Sequence, residues 1–126
     1  MDKIGIWAVK WKVKFNADKS CSMLFSTKQN LNNPGLLLNG DSIKMVNEHK
    51  HLGVFLTSTL DWSKQIHEVC LKANRKLAML RNVHYLQRKA LDLLYKVIVR
   101  SVTDYALPLY YSSLNISQKK RLAQIQ

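Results

Sequence analysis

The hydrophobic period of this chain changes near Asp61. Upstream, Ile4, Trp7, Ala8 and Trp11 follow helical spacing, which predicts an amphipathic helix from Asp2 to about Trp11, leading into a short extended run, Lys12 to Phe15. Cys21, Met23 and Phe25 alternate with Ser22, Leu24 and Ser26, the period-two pattern of a half-buried strand. Gln29 to Gly35 has the composition of a surface loop. Leu36-Leu37-Leu38 runs into Asn39-Gly40 and is followed at once by Ile43 to Val46, which predicts a hairpin around Asn39 to Ser42. A further strand, His49 to Leu56, puts Leu52, Val54 and Leu56 on one face. Gly53 leaves the opposite face bare between His51 and Phe55, so that another backbone can approach.

Beyond Asp61 the period is 3.6. Asp61 is placed to cap a helix whose buried face reads Ile66, Val69 or Cys70, Ala73, Leu77 and Leu80, ending near Asn82. A second helix from about Leu86 buries Leu91, Leu94, Val97 or Ile98, and Val102, until Pro108 kinks or stops it. Ser117 is the expected cap of a last helix carrying Leu122 and Ile125, which reaches Gln126 without a stop signal and so reads as truncated. The pattern amounts to an α+β chain: a small antiparallel sheet over 1–60, then a basic three-helix unit over 61–126.

Composition narrows the classes. With 126 residues, 47% hydrophobic and four Gly and two Pro, the chain is one domain at most and is not disordered, collagenous or low in complexity. No apolar run approaches the roughly 18 to 20 residues a spanning helix needs, and nothing after Met1 resembles a secretory leader, so membrane and secreted classes are excluded. Cys21 and Cys70 lie far apart and fit a reducing compartment.

Charge changes the picture more. The net formal charge is +12. Residues 1–62 hold eight Lys against five acids, a net +3, whereas 63–126 hold seven Lys and five Arg against three acids, a net +9. Every Arg lies in the second half, where Lys72, Arg75, Lys76 and Arg81 on the first long helix, and Arg88, Lys89, Lys96 and Arg100 on the second, project away from the apolar stripes. Such an excess suits polyanions, and planar guanidinium groups suit phosphate.

The order of short motifs resembles one family. Trp11 to Ser20 with Asn16 and Lys19, the strand Cys21 to Ser26, Asn39-Gly40, His51 to Leu56 and Leu60-Asp61-Trp62 with Ile66 form one series. Leu94-Tyr95, Tyr105 with Pro108 and Tyr111, and the closing Leu122 to Gln126 continue it. In that order they resemble the reverse transcriptases of non-LTR (LINE-type, jockey-like) retrotransposons, downstream of the catalytic aspartate box. The resemblance implies the end of a palm subdomain followed by a partial thumb. Asn16 and Lys19 would then match the palm's fourth motif, with Lys19 near the phosphates of the incoming nucleotide. Leu52, Gly53 and Val54 would match the primer grip, where a missing Cβ admits a sugar–phosphate backbone. The basic helices would track a primer–template duplex, RNA or DNA, through phosphate contacts. His51 departs from the aromatic residue often found before Leu-Gly in the family.

The family's chemistry uses paired aspartates holding two Mg²⁺ ions. The eight acids here, Asp2, Asp18, Asp41, Glu48, Asp61, Glu68, Asp92 and Asp104, include no adjacent pair and no Tyr-x-Asp-Asp pattern. The resemblance therefore implies a chain that is inactive alone, holds no metal, and relies on a palm and fingers encoded upstream for Mg²⁺ and catalysis. Two other readings stand beside it: a separate nucleic-acid-binding module, or a remnant of a mobile element without function. Trp7 and Trp11 share a helical face and are expected in the core, or on a surface orphaned by a missing partner; Trp62 is expected to pack at a helix start. A zinc site from His49, His51, His67 and Cys70 has the wrong spacing, with Cys70 on an apolar stripe. Nothing in the pattern sets His67, Cys70 and Asp104 in reach of one another as a nucleophilic set. Lys119-Lys120-Arg121 is too short to serve as a localisation signal.

Overall fold

A computed structural model describes residues 2–26, 35–38 and 40–125. Internal packing divides the chain into two units, Met1–His51 with Leu56–Leu60, and Leu52–Phe55 with Asp61–Gln126.

In the first unit, helix α1 (Asp2–Lys10) ends in a left-handed residue, Lys12, at φ 54°. Val13 N donates to Ala8 O at 2.9 Å and Lys12 N to Val9 O at 3.2 Å. This is a Schellman closure built on lysine where glycine is usual. Only Ala8 of the helix's apolar residues is buried; Trp7 and Trp11 are 50% and 63% exposed, so the expectation of a tryptophan core is corrected. The nine-residue helix has apolar residues on every side, and a single neighbouring surface covers only one.

Strand β1 (Cys21–Ser22) is short, and the alternation through Phe25 is not realised: Met23 is half-buried while Leu24 and Phe25 are exposed. Strand β2 (Leu37–Leu38) pairs antiparallel with β3 (Asp41–Ser42), so Asp41 and Ser42 are paired strand residues rather than part of the turn expected over Asn39 to Ser42; Gly40 has φ 92°, and Asn39 lies outside the described residues. Strand β4 (Lys44–Met45) then pairs in parallel with β1, Cys21 opposite Lys44 and Ser22 opposite Met45. The single antiparallel sheet expected from the sequence is thus replaced by separate two-stranded pairs, one of them parallel. Leu38 and Ile43 are buried, and Ile43 N bonds Leu36 O at 2.9 Å. The Gln29 to Gly35 loop lies outside the described residues except for Gly35.

The strand expected over His49 to Leu56 is two strands, β5 (Glu48–His51) and β6 (Val54–Thr57), which pair across a two-residue turn. Leu52 and Gly53 form that turn with φ of 47° and 84°, the signature of a type I′ hairpin. The turn interrupts the period of two, so Leu52 does not share a face with Val54: Val54 is buried and Leu52 is 78% exposed.

The second unit is built around α2 (Ser63–Arg81), which buries Gln65, Ile66, Val69, Cys70 and Ala73. Its N-cap is Trp62; Asp61, one residue earlier, accepts from Ser63 N at 3.1 Å and Ser63 Oγ at 2.9 Å. Trp62 is buried and packs on Tyr110 with ring centroids 5.3 Å apart. Helix α3 (Arg88–Leu94) starts after Gln87 and continues through a π-helical segment, Tyr95–Arg100, into α4 (Ser101–Asp104). The wider π turns carry the buried line onto Val99 and Thr103 and leave Val97 60% exposed. Of the expected stripe, Val97 is exposed, while its alternative Ile98 and Val102 are half-buried.

The helix ends before Pro108. Tyr105 is extended, Ala106 is left-handed at φ 54°, and Pro108 lies in the first turn of α5 (Leu107–Tyr110), where a missing N–H costs nothing. After a 3₁₀ turn (Tyr111–Ser113), α6 (Ile116–Ala123) is capped by Asn115, not Ser117: Asn115 Oδ1 accepts from Gln118 N and Gln118 Oε1 from Asn115 N, at 2.9 and 3.0 Å. Gln118 Nε2 also donates to Ser63 Oγ at 3.1 Å, joining the starts of α6 and α2. Leu122 and Ile125 are buried as expected. Helix α2 packs against the π segment, α4 and α6. The chain is α+β, and among the described residues no helix is long and apolar enough to cross a membrane.

Candidate nucleic-acid interface

The type I′ turn exists because the chain places glycine at the second of two left-handed positions. A Cβ added to Gly53 would meet Tyr105 Cε1 at 3.5 Å, an ordinary contact, so conformation and not space is what requires glycine here. The turn belongs with the helices through three attachments. Val54 is buried, Phe55 N donates to the buried Gln65 Oε1 at 2.9 Å, and Tyr105 Oη donates to Leu52 O at 2.5 Å. Lys64 Nζ lies 4.9 Å from the centre of the Phe55 ring.

Beside the turn is a groove of about 300 Å³ lined by Gly53, Gln65, Val69, Lys72, Lys76, Ser101, Val102 and Tyr105. Lys72 and Lys76 are one helical turn apart on α2, which sets both ammonium groups on one side of the helix. Glycine backbone, two cations and two hydroxyls therefore line one opening, a combination that suits a phosphate chain.

The other cations are distributed differently. Arg81 lines a separate hollow with Leu77, Leu80, His84, Leu91, Asp92 and Tyr95. Arg100 pairs with Asp104 at 3.1 Å, which neutralises part of its field. Arg75, Arg88, Lys89 and Lys96 are exposed. Lys19 is exposed in the first unit at the end of a turn shaped by Asn16, whose Oδ1 accepts from Lys19 N at 3.2 Å and whose carbonyl accepts from Ser20 Oγ at 2.8 Å.

Burial pushes the Cys70 thiol above its ordinary value, with the Arg121 charge opposing, and Sγ lies 3.9 Å from Arg121 O. Cys21 Sγ is 3.3 Å from His49 Nδ1. Among the described residues no three His, Cys, Asp or Glu side chains converge as a metal site.

Compared with known proteins, the whole chain aligns with the RNA-directed DNA polymerase from mobile element jockey of Drosophila melanogaster, 28% identical over 131 positions. The chain is similar to a reverse transcriptase. It spans 14% of that polymerase's length. No family model matches the chain, and no solved structure matches it. Sequence reasoning missed Gln65 altogether and singled out Tyr105 only within the family series, not as a contact of the turn. Gln65 sits within an apolar helical stripe and Tyr105 is 53 residues from its partner Leu52, so neither contact leaves a local signature.

Proposed function

We propose that this chain is the part of a jockey-like reverse transcriptase that runs from the end of the palm into the thumb, and that it grips the primer–template duplex. The observation that carries the reading is the meeting of the Leu52-Gly53 turn with Lys72 and Lys76 along a chain similar throughout to a retrotransposon polymerase. In this reading Leu52, Gly53 and Val54 serve as a primer grip. Lys72 and Lys76 neutralise backbone phosphates, Arg75, Arg81, Arg88, Lys89 and Lys96 extend the basic surface, and Lys19 lies near nucleotide phosphates. In this reading catalysis and its Mg²⁺ belong to other segments of the polymerase, because the sequence of this chain has no adjacent acids and no Tyr-x-Asp-Asp pattern. The exposed Trp7 and Trp11 support a chain that works packed against further polymerase structure rather than alone.

The test is anisotropy of a labelled RNA/DNA hybrid titrated with the chain at increasing salt. Several phosphate contacts give a steep fall of log K with log salt, each worth about −0.9 on duplex DNA. Lys72→Gln with Lys76→Gln should remove about two of these contacts. A slope near zero refutes duplex binding.

A further inference from the structure

Tyr105 has features that packing alone does not account for. It follows the last residue of α4, adopts extended backbone with ψ 122°, and is followed by left-handed Ala106. This abrupt end of the helix turns its side chain toward the hairpin turn, yet the residue stays 54% exposed. Its hydroxyl holds the carbonyl of Leu52, a bulky residue at φ 47° whose own side chain is largely in solvent. A non-glycine residue in that region carries strain, and such strain persists only where surrounding contacts enforce it. The same phenol ring lies against Gly53 and lines the groove with Lys72 and Lys76, all within the helical unit.

We infer that Tyr105 is a positioning residue: its hydrogen bond to Leu52 O latches the strained turn in the place where the Gly53 backbone and the two lysines engage one phosphate chain together. This inference rests on the duplex-binding reading above and adds to it a residue outside the turn and the basic stripes. Tyr105 acts through the turn, so removing only its hydroxyl should weaken cooperation between turn and lysines while leaving the helical core intact.

The test uses the full chain and a fluorescein-labelled RNA/DNA hybrid with a recessed 3′ end. Tyr105→Phe is compared in two backgrounds, the natural chain and Lys72→Gln/Lys76→Gln. One hydrogen bond corresponds to about a 3- to 10-fold loss of affinity in the natural background. In the Lys72→Gln/Lys76→Gln background the loss should shrink to less than about 2-fold, since sites acting as one unit are non-additive. Amide order parameters of Leu52 to Phe55, measured without ligand, should fall in Tyr105→Phe while the amides of α2 keep theirs. An undiminished loss in the double-glutamine background, or no loss in the natural one, overturns the positioning role. If the natural chain does not bind the hybrid, the duplex-binding reading fails. The latch is then judged by the amides: lowered order parameters support it, and unchanged ones overturn it.

Discussion

The carboxamide oxygen of Gln65, buried in the first turn of α2, accepts the Phe55 amide of β6 at 2.9 Å. One polar side chain inside an apolar stripe thereby satisfies a strand amide and holds the end of a hairpin on a helix. Replacing Gln65 with Leu keeps the volume and removes the acceptor. The expected loss is about 1 to 3 kcal/mol of unfolding free energy, measured by urea denaturation, because a half-buried amide loses its partner. A change under about 0.5 kcal/mol would show that this bond does not hold the hairpin.

Tyr110 is fully buried and its hydroxyl makes no hydrogen bond among the described residues. The Gln65 carboxamide, whose oxygen accepts from Phe55 N, favours the phenolate by donating its N–H toward the Tyr110 oxygen. Burial is the larger effect and raises the Tyr110 hydroxyl above 10.0, as it raises the Cys70 thiol above 9.0. In the unfolded chain both groups ionise at their ordinary values while the folded chain still holds its protons. Stability is therefore full below about pH 9 and falls as pH rises through and beyond 10. Tyr110→Phe should raise stability near neutral pH by about 1 kcal/mol and flatten part of the alkaline decline. Thermal melts across pH 7 to 11 would read both effects, and an unstable Phe variant would mean that the hydroxyl has a partner.

Asn115 and Gln118 form a reciprocal cap at the start of α6. Asn115→Ala should cost about 1 kcal/mol. Ser117, whose hydroxyl only donates to Asn115 Oδ1 at 2.8 Å, should cost within about 0.5 kcal/mol on replacement by Ala. Chemical denaturation of the two variants side by side tests which residue is the cap. Equal losses would reverse the assignment.

Gly53→Ala should destabilise the chain by about 1 to 2 kcal/mol, because φ 84° is unfavourable for any residue with a Cβ. Its Cβ would make only an ordinary contact with Tyr105, so the loss should be nearly the same when combined with Tyr105→Ala. A penalty that vanishes in the double variant would identify a clash rather than backbone strain.

Much of this arrangement is local and therefore legible in the sequence. Ile66, Val69, Cys70 and Ala73 recur with the helical period and form the buried face of α2, because periodicity reports which side of a helix meets apolar neighbours. Asn39-Gly40 marked a tight turn for the same kind of reason, Gly40 sitting at φ 92°. The Asn115/Gln118 cap was also present as a spacing of three and was passed over for Ser117, one instance where the local signal was available.

What the tertiary structure decided is everything that depends on pairing across distance. Cys21 and Ser22 became half of a parallel pair with Lys44 and Met45, a choice that alternation within either segment cannot encode. Leu52 and Gly53 became a turn rather than mid-strand positions once β5 and β6 folded back on each other. Of the pair Val97 or Ile98, the π segment leaves Val97 exposed and Ile98 half-buried and puts full burial on Val99 and Thr103, where it packs against α2. Tyr105, finally, reaches Leu52 where a helix ends and Ala106 turns left-handed, so the latch is a product of chain geometry across 53 residues. Local torsions and side-chain period are properties of neighbouring residues; partners distant in sequence are selected by which surfaces remain to be buried once those local elements exist.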